Sequence, residues 1–277
     1  MEILRYSAFT DDPAGGNPAG VVLDATGLAE SDMQRIAADV GYSETAFLTP
    51  RGGRAATVRY FSSLAEVPFC GHATIASAVA YAERFGDGPI SLAAPVGDIA
   101  VESAGGSATL RSVAPASKTL GGDVAVRLLA ALRYEPEDLD PALPLRVAYA
   151  GAWHPVVAAA SRARLAELDY DKTALRELMA EQGWTTVNLV WRERETVFHA
   201  RNPFPPGGVY EDPATGAAAA AFGGYLRELG LVAAPVTLTV HQGHDMGRPS
   251  LLRVGLDADP AAGVTVTGRA VQIGQSA

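Results

Sequence analysis

The sequence predicts an α+β protein of two similar domains, each a mainly antiparallel sheet curled around one enclosed helix. Three observations carry this reading. The first is the stretch Glu211-Asp-Pro-Ala-Thr-Gly216 and the run behind it, Ala217 to Leu226. Every residue of that run is apolar, glycine or tyrosine, and charge returns only at Arg227 and Glu228. A helix that is apolar all round must be enclosed by other structure. The second is that the pattern occurs twice. Cys70-Gly-His-Ala-Thr74 leads into another small, apolar helical run that is charged only near its end. Both runs close Tyr-x-x-x-x-Gly, with Tyr81 and Tyr225, and Gly86 and Gly230, each 144 positions apart. Such spacing marks a duplication. The third is that strand patterns outnumber helices and are joined by short turns.

The elements follow in order. Glu2 to Phe9 reads as a first strand, Thr10 to Pro18 as a polar loop, and Gly20 to Leu23 as a short strand. Ala29 to Val40 carries Met33, Ile36, Ala37 and Val40 at helical spacing, and Gly41 stops it. Strands are expected at 42–48, 57–61, 90–93, 98–102 and 108–113, with a loop from Ser62 to Phe69 before the first enclosed helix. The segment Ala114 to Gly122, rich in Pro, Ser and Gly, is the expected domain boundary. Beyond it, helices are expected at 124–132 and 173–182, and strands at 145–149, 155–159, 185–191 and 195–200. Asp212 is suited to cap the second enclosed helix and Pro213 to open it. Strands at 236–241, 250–254 and 264–273 close the chain.

Composition narrows the function. With 277 residues, 48% hydrophobic and 19% charged, the chain can bury one large or two ordinary cores. No apolar run is long enough to span a membrane. The net charge of −9 argues against a nucleic-acid surface. The start, Met1-Glu-Ile-Leu-Arg-Tyr, has no signal-peptide pattern, so a cytoplasmic location is expected. A single cysteine leaves no intramolecular disulfide and excludes racemases that work with two thiols. No phosphate-cradling glycine motif is present, and no cofactor is expected. His241 and His244, with Asp245 beside them, lack a third ligand in the sequence, so no metal is expected there.

Four residues could carry chemistry. Glu44 precedes an apolar strand; it is either a solvated strand-end carboxylate or, if turned inward, a proton-transfer group. His72 lies in the first turn of the first enclosed helix, where the positive helix end favours a neutral imidazole. Cys70 is either a small buried hydrophobe or a thiol favoured as thiolate by the same helix end. Asp212 is a cap, an acid/base, or both.

The segments Ala8-Phe-Thr10, Gly16-Asn-Pro-Ala19, Tyr42-Ser-Glu-Thr-Ala-Phe47, Phe69-Cys-Gly-His-Ala-Thr74, Glu211-Asp-Pro-Ala-Thr-Gly216 and Gln242-Gly-x-x-Met-Gly-Arg-Pro-Ser250 resemble, in order, the signature segments of the PhzF family, the phenazine-biosynthesis isomerase-like proteins. The resemblance implies the diaminopimelate-epimerase-like fold: two β-barrels, each around a central helix, with the active site between them. It puts the first domain at 1–115, completed by 264–277, and the second at 116–263. It implies that Glu44 moves a proton within a small carboxylate-bearing substrate without metal or organic cofactor, with His72 and Asp212 binding and polarising that substrate. Asn17, Gly71, Thr215, Gly216 and Ala217 are the corresponding substrate-binding positions. One residue departs from the pattern: the family commonly has serine where this chain has Ala217. A homodimer is expected from the family and from the prevalence of two-fold oligomers. The competing reading is a diverged PhzF-fold binding protein without turnover. An epimerase would need an opposing acid, and no second cysteine supplies it.

Overall fold

The computed structural model describes residues 1–274 and divides the chain into two compact units, Met1–Arg111 with the described residues from Thr267 on, and Ser112–Val266. The first unit runs β1 (Leu4–Ala8), β2 (Asn17–Val22), α1 (Glu30–Val40), β3 (Glu44–Gly52), β4 (Ala55–Phe61) and β5 (Glu66–Val67). It continues with α2 (Gly71–Phe85), β6 (Gly88–Ala94), β7 (Gly97–Ala104) and β8 (Ser107–Arg111). In the second unit come β9 (Ala116–Thr119), α3 (Gly122–Leu132), β10 (Arg146–Tyr149), β11 (Trp153–Ala158), α4 (Arg162–Ala166) and α5 (Lys172–Gln182). Then follow β12 (Asn188–Arg194), β13 (Val197–Pro203), β14 (Glu211–Asp212), α6 (Gly216–Glu228), β15 (Val236–Gln242) and β16 (Ser250–Leu256). The last strand, β17 (Thr265–Gln272), belongs mainly to the first unit.

In the first unit eight strands close a barrel. β1 pairs antiparallel with β2, β2 parallel with β3, β3 antiparallel with β4, and β4 parallel with β6. β7 and β8 extend the sheet antiparallel, and β17 joins β8 to β1. The two parallel pairs are the places where a crossover is needed, and α1 and α2 supply them. α2 runs inside: His72 through Ala80 are all buried, and the helix packs on β1, β2, β3, β7 and β8. Its alanines and Ser77 let the strands approach closely. α1 lies outside, its Met33, Ile36 and Ala37 packed on Val22, Phe47 and Phe61.

The second unit repeats the sequence of pairings. β10 pairs antiparallel with β11, β11 parallel with β12, β12 antiparallel with β13, β13 parallel with β15, and β15 antiparallel with β16. β9 lies antiparallel to β10. α6 is the enclosed helix, buried from Ala218 to Leu226 and packed on β9, β10, β11 and β16. Gly223 and Gly224 are required by this packing. A methyl group at Gly223 would come within 2.8 Å of Val254, and one at Gly224 within 2.3 Å of Pro115. Outside the sheet, α3 and α5 bury Leu128, Leu132, Leu175, Leu178 and Met179 in one apolar cluster.

Four local expectations are corrected. The segment 114–122, read as an irregular boundary, contains β9, because its backbone pairs with β10 despite its loop-like composition. The expected loop at 62–69 contains the two-residue strand β5, and the two-residue strand β14 precedes the second enclosed helix, both too short to leave an alternating pattern. Ser161 caps the short α4, which the sequence reading passed over. Asp212 is not the cap of α6. Its backbone pairs with Asn202 in β14, Thr215 takes the N-cap position, and the helix begins at Gly216.

Candidate active site

In the first unit the site is assembled where β2, β3 and α2 begin. Asn17 opens β2, Glu44 opens β3 opposite Ala19, and Cys70 stands at the N-cap position of α2 with Gly71 and His72 in the first turn. The start of α2 is anchored from behind. The Thr74 hydroxyl donates to the Cys70 carbonyl at 2.7 Å and lies 2.7 Å from the Tyr60 hydroxyl in the core.

His72 is the hub. The Asn17 side-chain amide donates to His72 Nδ1 at 3.1 Å, so that nitrogen carries no proton and Nε2 does. Nε2 then faces Glu44 Oε2 at 3.3 Å and Ser43 Oγ at 3.3 Å. Both partners are enclosed, with side chains 7% and 13% exposed for His72 and Glu44. Burial holds the imidazole below the ordinary histidine range and outweighs the opposing pull of Glu44, so His72 is neutral at pH 7. Cys70 Sγ completes the group, 3.4 Å from His72 Nδ1 and 3.6 Å from Glu44 Oε2.

The arrangement gives one carboxylate that can take and return a proton, one neutral N–H donor that orients it, and a helix N-terminus beside both. One oxygen, the sulfur and one ring nitrogen of Glu44, Cys70 and His72 all lie within 4.8 Å of one another. That set could also ligate a metal, and its thiolate and imidazole would select a soft ion such as Zn²⁺.

In the second unit the start of α6 carries Asp212, Thr215, Gly216 and Ala217. The Thr215 hydroxyl donates to Asp212 Oδ2 at 2.5 Å. Gln242 clamps the turn: its Nε2 donates to the Asp212 carbonyl at 2.8 Å and to Thr215 Oγ1 at 3.0 Å, while its Oε1 accepts from the Thr215 amide at 3.1 Å. Gly243 behind it has φ +75, and a Cβ there would lie 2.2 Å from the Arg248 carbonyl oxygen, so only glycine fits. Arg201 Nε and Nη2 grip the Glu211 carboxylate at 2.9 and 2.5 Å and fix β14, and Asp212 with it.

The expected residues thus fall into two groups, one in each unit: Asn17, Glu44, Gly71 and His72 in the first, and Asp212, Thr215, Gly216 and Ala217 in the second. The sequence reading left Ser43 and Gln242 out of the site. Gln242 had a visible signal, since it opens the Gln-Gly-x-x-Met-Gly-Arg-Pro-Ser segment; Ser43 had none beyond its place beside Glu44.

A closed eight-stranded barrel around a helix, repeated in its pairings in a second unit, defines the diaminopimelate-epimerase-like class of fold. The chain belongs within it to the phenazine biosynthesis-like (PhzF) family, whose profile matches residues 6–275. The chain is 34% identical to a trans-2,3-dihydro-3-hydroxyanthranilate isomerase of Pseudomonas chlororaphis, over 97% of this chain and 95% of that one. It is 31% identical to an uncharacterized isomerase of Bacillus subtilis, over 98% and 96%. Among solved structures, a Bacillus anthracis phenazine biosynthesis protein of the PhzF family superposes with a TM-score of 0.86 at 26% identity, covering 99% and 98% of the two chains.

Proposed function

We propose that this chain is an isomerase that moves a proton within a small, conjugated, carboxylate-bearing substrate, with Glu44 as the acid/base group and no metal or organic cofactor. The observation that carries this is the enclosed Glu44 carboxylate held 3.3 Å from the Nε2–H of a neutral His72. The step balances with one group. A C–H bond next to the π-system breaks, its proton passes to the carboxylate, and the electron pair spreads towards the substrate carboxylate. The Glu44 carboxylic acid then returns the proton to another carbon. Amides at the start of α2, with Gly71 foremost, favour the anionic intermediate. Asp212, with Thr215, Gly216 and Ala217, is proposed to bind and polarise the same substrate, and Asn17 to keep His72 in the donor tautomer. The relative named as a dihydro-hydroxyanthranilate isomerase supports the substrate class. Acting as a cytoplasmic homodimer is part of the proposal. Among the described residues no helix is long and apolar enough to cross a membrane.

Ala217 favours a second reading. The first turn of α6 lacks the hydroxyl that the family commonly carries there, which fits a diverged protein that binds without turnover. Incubation with trans-2,3-dihydro-3-hydroxyanthranilate in D₂O, followed by NMR, decides between them. The isomerase converts the compound, and Glu44→Gln, which keeps shape but removes the base, slows it by on the order of 100-fold or more. Unchanged turnover in Glu44→Gln removes Glu44 from the role. A thermal shift with the compound but no conversion by the native chain establishes the binding reading.

A further inference from the structure

The expectation that His241 and His244 hold no metal rested on a missing third ligand, and the fold supplies it. β13 and β15 are parallel neighbours, and their register sets His199 directly opposite His241. Both alternate with buried residues and so lie on the outer face of the sheet, while His244 sits just past the end of β15. The ring centroids are 5.0 Å apart for His199 and His241, 5.4 Å for His241 and His244, and 6.2 Å for His199 and His244. Three of the chain's five histidines meet here.

We propose that His199, His241 and His244 form a binding site for a divalent late transition ion, of which Zn²⁺ is the representative. The spacing is the main argument. Two imidazoles bound at about 2.0 Å to one tetrahedral Zn²⁺ have centroids about 5 Å apart. His199–His241 and His241–His244 are close to that separation, and His199–His244 is about 1 Å wider. What differs from a ligated triad is ring orientation: His199 and His241 are stacked at 29°, and a turn about the side-chain torsions brings one nitrogen of each to a common point. His199 and His241 are partly exposed and His244 is exposed, so the cluster is open to an ion from solution.

The surroundings suit a cation. Glu193 Oε2 lies 2.8 Å from His199 Nε2, the carboxylate–histidine arrangement that fixes a ligating ring and raises its basicity. The two nearby arginines are neutralised: Arg194 is paired with Glu193 at 2.8 Å, and Arg162 with Asp245 at 2.8 Å. Imidazole donors select Zn²⁺, Cu²⁺ or Ni²⁺ rather than Mg²⁺ or Ca²⁺.

The test is titration of the full chain, freed of any histidine tag, with Zn²⁺ by calorimetry and with Co²⁺ by visible absorption. Because Glu44, Cys70 and His72 form a second possible ligand set, Cys70→Ser and the double variant His199→Ala/His241→Ala are titrated in parallel. The expected result is one ion per chain whose binding survives in Cys70→Ser, with Co²⁺ bands of tetrahedral type and no thiolate charge-transfer band. The double variant, its metal-free melting curve unchanged, loses that equivalent. Glu193→Gln weakens binding by roughly 10–100-fold. An ion that stays in the double variant and leaves in Cys70→Ser overturns the proposal, as does a native chain that takes up no ion.

Discussion

In the first unit Ala19 on β2 lies opposite Glu44 on β3, and in the second Val156 on β11 lies opposite Asn188 on β12. Two residues before each of those partners stand Asn17 and His154. Matching the two enclosed helices at their first residues sets Gly71 against Gly216, Cys70 against Thr215, and His72 against Ala217. Even the braces correspond: Arg59 on β4 grips Glu66 on β5, and Arg201 on β13 grips Glu211 on β14. The frame is therefore common while the chemistry is divided. The first unit collects a carboxylate, a thiol and an imidazole around its helix start. At the matching strand positions the second holds a neutral chain. His154 Nδ1 lies 2.9 Å from the Thr186 hydroxyl, Thr186 donates to Asn202 at 2.8 Å, and Asn202 donates to Asn188 at 3.2 Å. A duplicated barrel thus keeps its strand grammar under packing constraint while the polar positions at its mouth are free to specialise.

The largest effect expected from this comparison is at the brace of the second unit. Arg201 and Glu211 are 9% and 3% exposed, against 29% for both Arg59 and Glu66. Arg201→Ala leaves the Glu211 carboxylate buried without its partner, and is expected to cost about 3–5 kcal/mol in urea unfolding. Replacing both members with apolar residues, as in Arg201→Met with Glu211→Leu, removes the unpaired charge and is expected to cost less than Arg201→Ala alone. If Arg201→Ala is no worse than a surface substitution, the brace is solvated and the contrast between the units fails there.

Much of this was legible before any coordinates. The two enclosed helices announced themselves by composition, because a helix with no polar face has only one place to go. Glu44 and His72 were visible through their segments and through the helix start behind them. Other features were not legible, for physical reasons. β9, β5 and β14 are held by pairing with a neighbour, which leaves no periodicity in two to four residues. Asp212 followed by Pro213 looks like a helix start, yet tertiary pairing with Asn202 outweighs the capping propensity. His199 lies more than forty positions from His241, and only the parallel β13–β15 register makes them neighbours. The polar chain from His154 to Asn188 is likewise a product of strand order, with no local signature.

The second effect is a pH dependence carried by His154, where the first unit has Asn17, which does not titrate. Burial pushes the His154 imidazole down to about 4, and its Nε2 is buried without a hydrogen-bond partner. The unfolded chain binds a proton near pH 6.5 that the folded chain refuses until about pH 4. Stability is therefore complete above about pH 6.5 and falls as the pH drops through that window, by up to about 3 kcal/mol from this residue. His72, also held below its ordinary range, acts in the same direction. Urea midpoints measured from pH 7.5 to 4.5 should decline, and His154→Gln should flatten the decline while His72→Asn removes a separate part of it. A native chain equally stable across that range would mean that neither imidazole is kept neutral by the fold.

The smallest effect is at Arg59, and it completes the contrast with Arg201. The geometry is nearly the same, with Arg59 Nε and Nη2 at 2.7 and 2.6 Å from the two Glu66 oxygens. A third contact reaches Glu30 at 2.8 Å, but Glu30 is 70% exposed. The guanidinium holds the Glu66 carboxyl below the ordinary carboxylate range, so the pair stabilises the fold above about pH 4 and loses that contribution as the pH falls through the lowered value. Water reaches both partners, which repays most of what Arg59→Ala removes, and the expected cost is about 1 kcal/mol or less. Half-exposed charges are screened by salt and buried ones hardly at all. The cost of Arg59→Ala should therefore shrink in 0.5 M NaCl (roughly a 4–5 Å screening length), while that of Arg201→Ala persists. Equal salt sensitivity in the two variants would mean that burial does not separate the two braces.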